Sequence, residues 1–172
     1  MPRRLHILAN EQTYHVFNRT VGHEIIFTKK RELQRIIELT NYYRFPQTLR
    51  YSKFKLLPDK QKNTYLSQME KRSPLIQLFA FAFMPNHYHF LIRQNTNRGI
   101  SIFISNIQNS FAKFFNIKNE RHGTVFQNPF KARRIEREEE FLHVSRYIHL
   151  NPVTSYNISI SDLPSYPWTS MP

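Results

Sequence analysis

The chain has no cysteine in its 172 residues. Disulfides, thiolate metal sites and a cysteine nucleophile are thereby excluded, and a reducing cytoplasmic compartment fits. It also lacks any apolar run of membrane-spanning length, and its first residues, Met-Pro-Arg-Arg-Leu-His, lack the apolar segment of a signal peptide. The expectation is a soluble cytoplasmic protein with no membrane partner. Acidic residues are the next scarcity, with 12 Asp+Glu against 25 Lys+Arg, a net charge of +13 and a pI near 10.2. A surplus that large on a small domain is the electrostatic footprint of a protein that meets a polyanion. A lipid surface fits less well, because no helix pattern sets a clean basic face against an apolar one. Nucleic acid is the expected partner.

What the chain does hold is apolar and aromatic bulk. Hydrophobic residues make up 40% and aromatics 15%, so a folded domain with a real core is expected. The length suits one domain over residues 1–172. The β-branched and aromatic stretch 13–20 predicts a strand, and the apolar stripe Leu33, Ile36, Ile37 and Tyr43 predicts a helix over 29–43, with Thr28 as its cap. Residues 45–74 read as a basic insertion containing a short helix over 59–71. The insertion is either functional or a solvated excursion. A hairpin follows, 75–84 and 87–94, turned at Pro85-Asn86. Ile104, Ile107, Phe111, Phe114 and Phe115 mark one face of a helix over 101–116. An extended stretch over 124–136 leads to a last helix over 138–150, which Asn151-Pro152 should stop. A Pro/Ser/Tyr-rich tail, 153–172, carries Trp168 as an anchor. This order predicts an α+β fold: a ferredoxin-like split βαβ antiparallel sheet, with helices on one face and the C-terminal helix over the other.

Chemistry concentrates in Met84-Pro-Asn-His-Tyr-His-Phe-Leu-Ile-Arg-Gln. Alternation in a strand sends His87 and His89 to one face and Tyr88, Phe90 and Ile92 to the other. Paired imidazoles at this spacing can share a divalent ion, though a strand can equally carry two polar residues on a solvent face. On the last helix Tyr147 and Asn151 are four apart and share a side, so they could supply a nucleophile and an amide ligand together. A phenol is a weak nucleophile unless helped, and a divalent ion that neutralises charge on a phosphodiester would supply that help. Tyrosine attack conserves the phosphate in a covalent ester that a hydroxyl can later reverse, which suits cutting and rejoining. Asn18, Arg19, Arg93, Lys131, Arg133 and Arg134 are candidate contacts to nucleic acid. For Asn18 and Arg19 a capping role competes. His15, His23, His122 and His143 read as structural, and His149 points away from Tyr147.

Met84-Pro-Asn-His-Tyr-His-Phe-Leu-Ile resembles the histidine motif of the HUH single-tyrosine transposases, the small insertion-sequence enzymes and their REP-associated relatives. Tyr14-His-Val-Phe-Asn-Arg, His122-Gly-Thr-Val-Phe-Gln-Asn-Pro-Phe-Lys and Arg146-Tyr-Ile-His-Leu-Asn-Pro-Val resemble further segments of that family, in the same order. The resemblance implies a mobile-element enzyme of DNA transposition and recombination that binds single-stranded DNA, often folded as a hairpin. It implies Tyr147 as the nucleophile forming a 5′-phosphotyrosine link, His87 and His89 as metal ligands with Asn151 as the third, and Mg²⁺ or Mn²⁺ as the ion. Imidazole ligands make Mn²⁺ a good substitute. The insertion at 45–74 and Thr154-Ser155 after Asn-Pro-Val depart from the compact relatives. Monomer and swapped homodimer both stay open. A non-catalytic, domesticated binder of single-stranded nucleic acid with the same fold is the alternative, and it has no need for the histidines, tyrosine and asparagine in register.

Overall fold

The central strands of this chain turn alternate side chains to the two faces of one sheet, and the two rows meet different helices. In the computed structural model, which describes residues 8–156 and 158–170, the strands are β1 (Thr13–Arg19), β2 (Ile76–Met84), β3 (His87–Gln94) and β4 (Lys131–Ile135). They form one antiparallel sheet in the order β2-β3-β1-β4, the ferredoxin-like arrangement expected. The helices are α1 (Lys30–Tyr43), α2 (Tyr51–Phe54), α3 (Asp59–Glu70), α4 (Gly99–Lys118) and α5 (Glu138–Tyr156). The first six residues, expected to carry no signal peptide, lie outside the described residues.

The first face carries Tyr14 and Val16 of β1 and Tyr88, Phe90 and Ile92 of β3, packed against Ile36 and Leu39 of α1 and Phe103, Ile107 and Phe111 of α4. All are buried, and each such side chain withdrawn from water contributes about 1.5–3 kcal/mol. The second face is covered by α5, whose Val144 and Ile148 meet Ala80, Ala82, Met84 and Leu91. A register shift between Leu78 and Ala80 makes this contact. One extra residue flips the alternation, so small alanines sit beneath the helix.

The basic insertion is folded. Its helices pack on α1 through an aromatic cluster, with Tyr42 ring centroids 5.1 Å from Tyr51 and 4.9 Å from Phe54, and Phe54 5.6 Å from Tyr65. At the start of α4 a Cβ on Gly99 would lie 2.2 Å from the Leu75 carbonyl oxygen, so only glycine lets the helix begin there. Trp168 packs on the main core, as its anchoring role required. The tail there pairs with the edge of β2: Phe83 N donates to the Trp168 carbonyl at 3.1 Å and Ser170 N to the Phe81 carbonyl at 3.1 Å. That pairing covers an otherwise open strand edge.

Three local expectations need correction. Helix α5 does not stop at Asn151-Pro152 but continues to Tyr156. Asn151 and Pro152 are both buried there, and the Thr154 hydroxyl donates toward the Leu150 and Asn151 carbonyls at 3.4 and 3.1 Å, serving acceptors near the end of the helix. Helix α1 follows Lys29 rather than Thr28, with no side-chain cap. Of the extended stretch at 124–136, only Lys131–Ile135 is a strand, and Val125 and Phe126 anchor the preceding loop in the core.

Candidate active site

The polar rows of β1 and β3 lie on the α5 face, because β1 pairs Phe17 with His89 and Arg19 with His87. His87 and His89 stand together there, ring centroids 5.1 Å apart. His87 Nδ1 is 2.7 Å from the Asn86 Oδ1, and His89 Nδ1 is 2.9 Å from the Nε2 of a third imidazole, His15. Sequence reasoning left His15 aside as structural. The alternation that buries Tyr14 and Val16 does put His15 on the polar face, but only the β1–β3 register reveals its neighbour.

Helix α5 brings Tyr147 over this row. Its ring meets His89 edge-on at 5.6 Å and His15 at 6.0 Å, and it is 47% exposed. Asn151, one turn on, is buried, and its Nδ2 donates to the Tyr147 carbonyl at 3.0 Å. Among the described residues its Oδ1 takes no hydrogen bond. The buried Val144 and Ile148 seat α5 on the sheet beside the imidazole row.

The three imidazoles are held neutral. Burial lowers His89 to about 3, with like charge from His15, His87 and Arg19 adding to it. Burial lowers His87 to about 4, assisted by Arg19 and His23, and His15 to about 4, assisted by Arg133. Neutral imidazole is the form that ligates a metal. His87 and His89 each have one ring nitrogen engaged and the Nε2 without a hydrogen bond among the described residues, so this pair fits a divalent ion. Among the described residues no three His, Asp or Glu side chains form a complete ligand set. An ion here would need oxygen from an amide, water or phosphate.

The candidate cations divide by face. Arg19 is exposed beside His87, and Lys131 and Arg133 project to the α5 face, with Lys131 Nζ 6.0 Å from the Phe17 ring. Arg133 reaches Glu140 at 2.7 Å. Arg93 shares the histidine face but is paired with Glu11 at 3.5 Å. Arg134 lies on the opposite face, level with the core residue Tyr14, and donates to Gln12 at 2.7 Å. Asn18 is buried, its amide donating to the Gln127 carbonyl at 2.7 Å and accepting from Arg19 N at 2.9 Å. Asn18 therefore holds the loop rather than facing a ligand. His149 points away from Tyr147, as expected, and bonds the Ser170 hydroxyl at 2.9 Å. No helix among the described residues is long and apolar enough to cross a membrane.

Residues 48–151 match the family of IS200-like transposases. That span includes His87, His89, Tyr147 and Asn151, and leaves out β1 with His15. Among solved structures the chain is similar to a REP-associated tyrosine transposase bound to a REP hairpin, at 13% identity and a TM-score of 0.61, covering 99% of this chain and 82% of that one. A chain from Deinococcus radiodurans R1, provisionally described as a transposase, aligns at 11% identity and a TM-score of 0.46, covering 86% and 95%. No curated protein matches.

Proposed function

The chain belongs to the IS200-like transposase family, and from that premise we propose that it is a metal-dependent single-stranded DNA endonuclease and strand transferase with Tyr147 as its nucleophile. The observation that carries this reading is the Tyr147 ring standing 5.6 Å from His89 on a polar face whose imidazoles are neutral. His87 and His89 are the proposed metal ligands, with the Asn151 amide oxygen as the third. An Mg²⁺ or Mn²⁺ ion bound by them would polarise the phosphodiester and neutralise the charge that develops on it.

In the proposed step Tyr147 Oη attacks the phosphorus and its proton passes to water. The bond to the 3′-oxygen breaks, and that oxygen leaves with the electron pair and takes up a proton. The products are a 5′-phosphotyrosine and a free 3′-OH, and attack by another 3′-OH reverses the step without an external energy source. Arg19, Lys131 and Arg133 lie on the same face and are the proposed backbone contacts. Arg93 could join them only by giving up Glu11. The similar REP-associated transposase is bound to a hairpin, which makes hairpin DNA the first substrate to try. The seating of Tyr147 over its own chain's histidines supports a site that one chain completes, in the cytoplasm where DNA is reached.

The test is an end-labelled pool of single-stranded and hairpin DNA incubated with Mn²⁺ and run on a denaturing gel beside Tyr147→Phe. The expected result is a DNA–protein adduct that requires metal and disappears in the variant. Cleavage that persists in Tyr147→Phe would assign the attack to water. Binding without adduct across the pool would assign the chain to the non-catalytic binders.

A further inference from the structure

The first strand contributes an imidazole that the mechanism above leaves unused. His15 Nε2 lies 2.9 Å from His89 Nδ1, with the two rings nearly parallel at 24° and 5.1 Å apart. Two nitrogens this close share one proton, and only two arrangements exist. If His15 donates, neutral His89 keeps its own proton on Nε2 and turns no lone pair outward. If His89 donates from Nδ1, its Nε2 carries the lone pair. Only the second arrangement makes His89 a ligand. The neighbouring histidine is built on the same logic: Asn86 Oδ1 can only accept, so His87 donates from Nδ1 at 2.7 Å and keeps its Nε2 lone pair. Each imidazole of the pair thus has a polar partner at its Nδ1, one an amide from the hairpin turn and the other a ring from the adjacent strand.

We propose that His15 is a positioning residue that accepts the Nδ1–H of His89 and so fixes the tautomer and ring plane in which His89 Nε2 is offered to a divalent cation. This rests on the metal-site reading above. A partner behind a ligating histidine raises the ligand's basicity and removes its rotational freedom, and its loss typically costs 10–100-fold in metal affinity. The position of β1 explains why the sequence hides it: His15 pairs directly with Leu91, and meets His89 only on the diagonal.

The decisive measurement is Mn²⁺ affinity of DNA-free protein, from the electron paramagnetic resonance of unbound Mn²⁺. His15→Phe keeps a ring but has no acceptor, and should weaken Mn²⁺ binding about 10–100-fold. His15→Gln offers an amide oxygen at a similar reach and should stay within a few-fold of the parent. Nitrogen NMR of the metal-free parent should show His89 protonated at Nδ1. His15→Phe binding Mn²⁺ as tightly as the parent would overturn the inference while leaving the metal site standing. A parent that binds no Mn²⁺ would overturn both. If His15→Phe does not fold, the tautomer decides alone, and a proton on His89 Nε2 sinks the proposal.

Discussion

The two faces of the sheet are built to different rules. The face toward α1 and α4 is a continuous apolar layer in which rings of Tyr88, Phe90, Phe103 and Phe111 are almost wholly withdrawn from water. The face toward α5 has a small apolar seam, Ala80, Ala82, Met84, Leu91, Val144 and Ile148, and beside it a row of imidazoles. The seam does no more than seat one helix. The first face carries the stability, and this frees the second to bury groups that stability alone would reject. Keeping the buried His89 and the half-buried His15 and His87 neutral costs free energy as the pH falls.

The largest expected effect tests that division directly. Phe90→Ala on the first face should cost about 3–5 kcal/mol, the range for emptying a well-packed aromatic site. His87→Ala, on the same strand but the other face, should cost about 1 kcal/mol or less, since the side chain is only half-buried and leaves no closed cavity. Urea unfolding of both variants gives the comparison. Equal costs would mean that the α5 face supports the fold as much as the first.

A smaller effect should appear with pH. His15, His87 and His89 have folded-state values of about 4, 4 and 3, below the ordinary 6.5 that the unfolded chain would show. As pH falls through 6.5 the unfolded chain takes up protons that the folded chain refuses, so stability is full above neutrality and declines from about pH 6.5 toward 4. Thermal melts with chelator present should show the midpoint falling over that window. The triple His15→Gln, His87→Gln, His89→Gln variant should flatten the part between pH 7 and 5. A parent whose melting point is level from pH 7 to 5 would show that these rings are not held neutral.

How legible each face was in the sequence follows from the same contrast. The first face could be read from periodicity alone, because Leu33, Ile36 and Tyr43 repeat at helical spacing and Tyr88, Phe90 and Ile92 at strand spacing. His87, His89, Tyr147 and Asn151 were legible because each pair sits on one element at a fixed spacing. His15 was not, because its meaning depends on which residue of β3 lies diagonally across from it, and register is a property of two strands. The division of the cations between the two faces was not legible for a related reason. Arg133 and Arg134 are adjacent in sequence, yet alternation sends them to opposite faces. Pro152 misled in another way: a local rule stops the helix there, and packing of Asn151 and Pro152 into the body overrides it.

The smallest effect sharpens the contrast where charge rather than packing is concerned. Lys131 stands on the imidazole face near the Phe17 ring, and Arg134 on the far face, tied to Gln12 and within 3.8 Å of Glu136. A chain with a net charge of +13 attracts a polyanion from every side, so bulk attraction alone would make both cations equivalent. A strand seated on the imidazole face distinguishes them. Lys131→Ala should weaken single-stranded DNA binding a few-fold regardless of sequence, and lower the slope of log affinity against log salt by about 0.7, the value for one released contact on a single strand. Arg134→Ala should leave that slope unchanged. Salt titrations by fluorescence anisotropy read both. If the two variants lose the same slope, the DNA is following net charge and not the face that carries Tyr147.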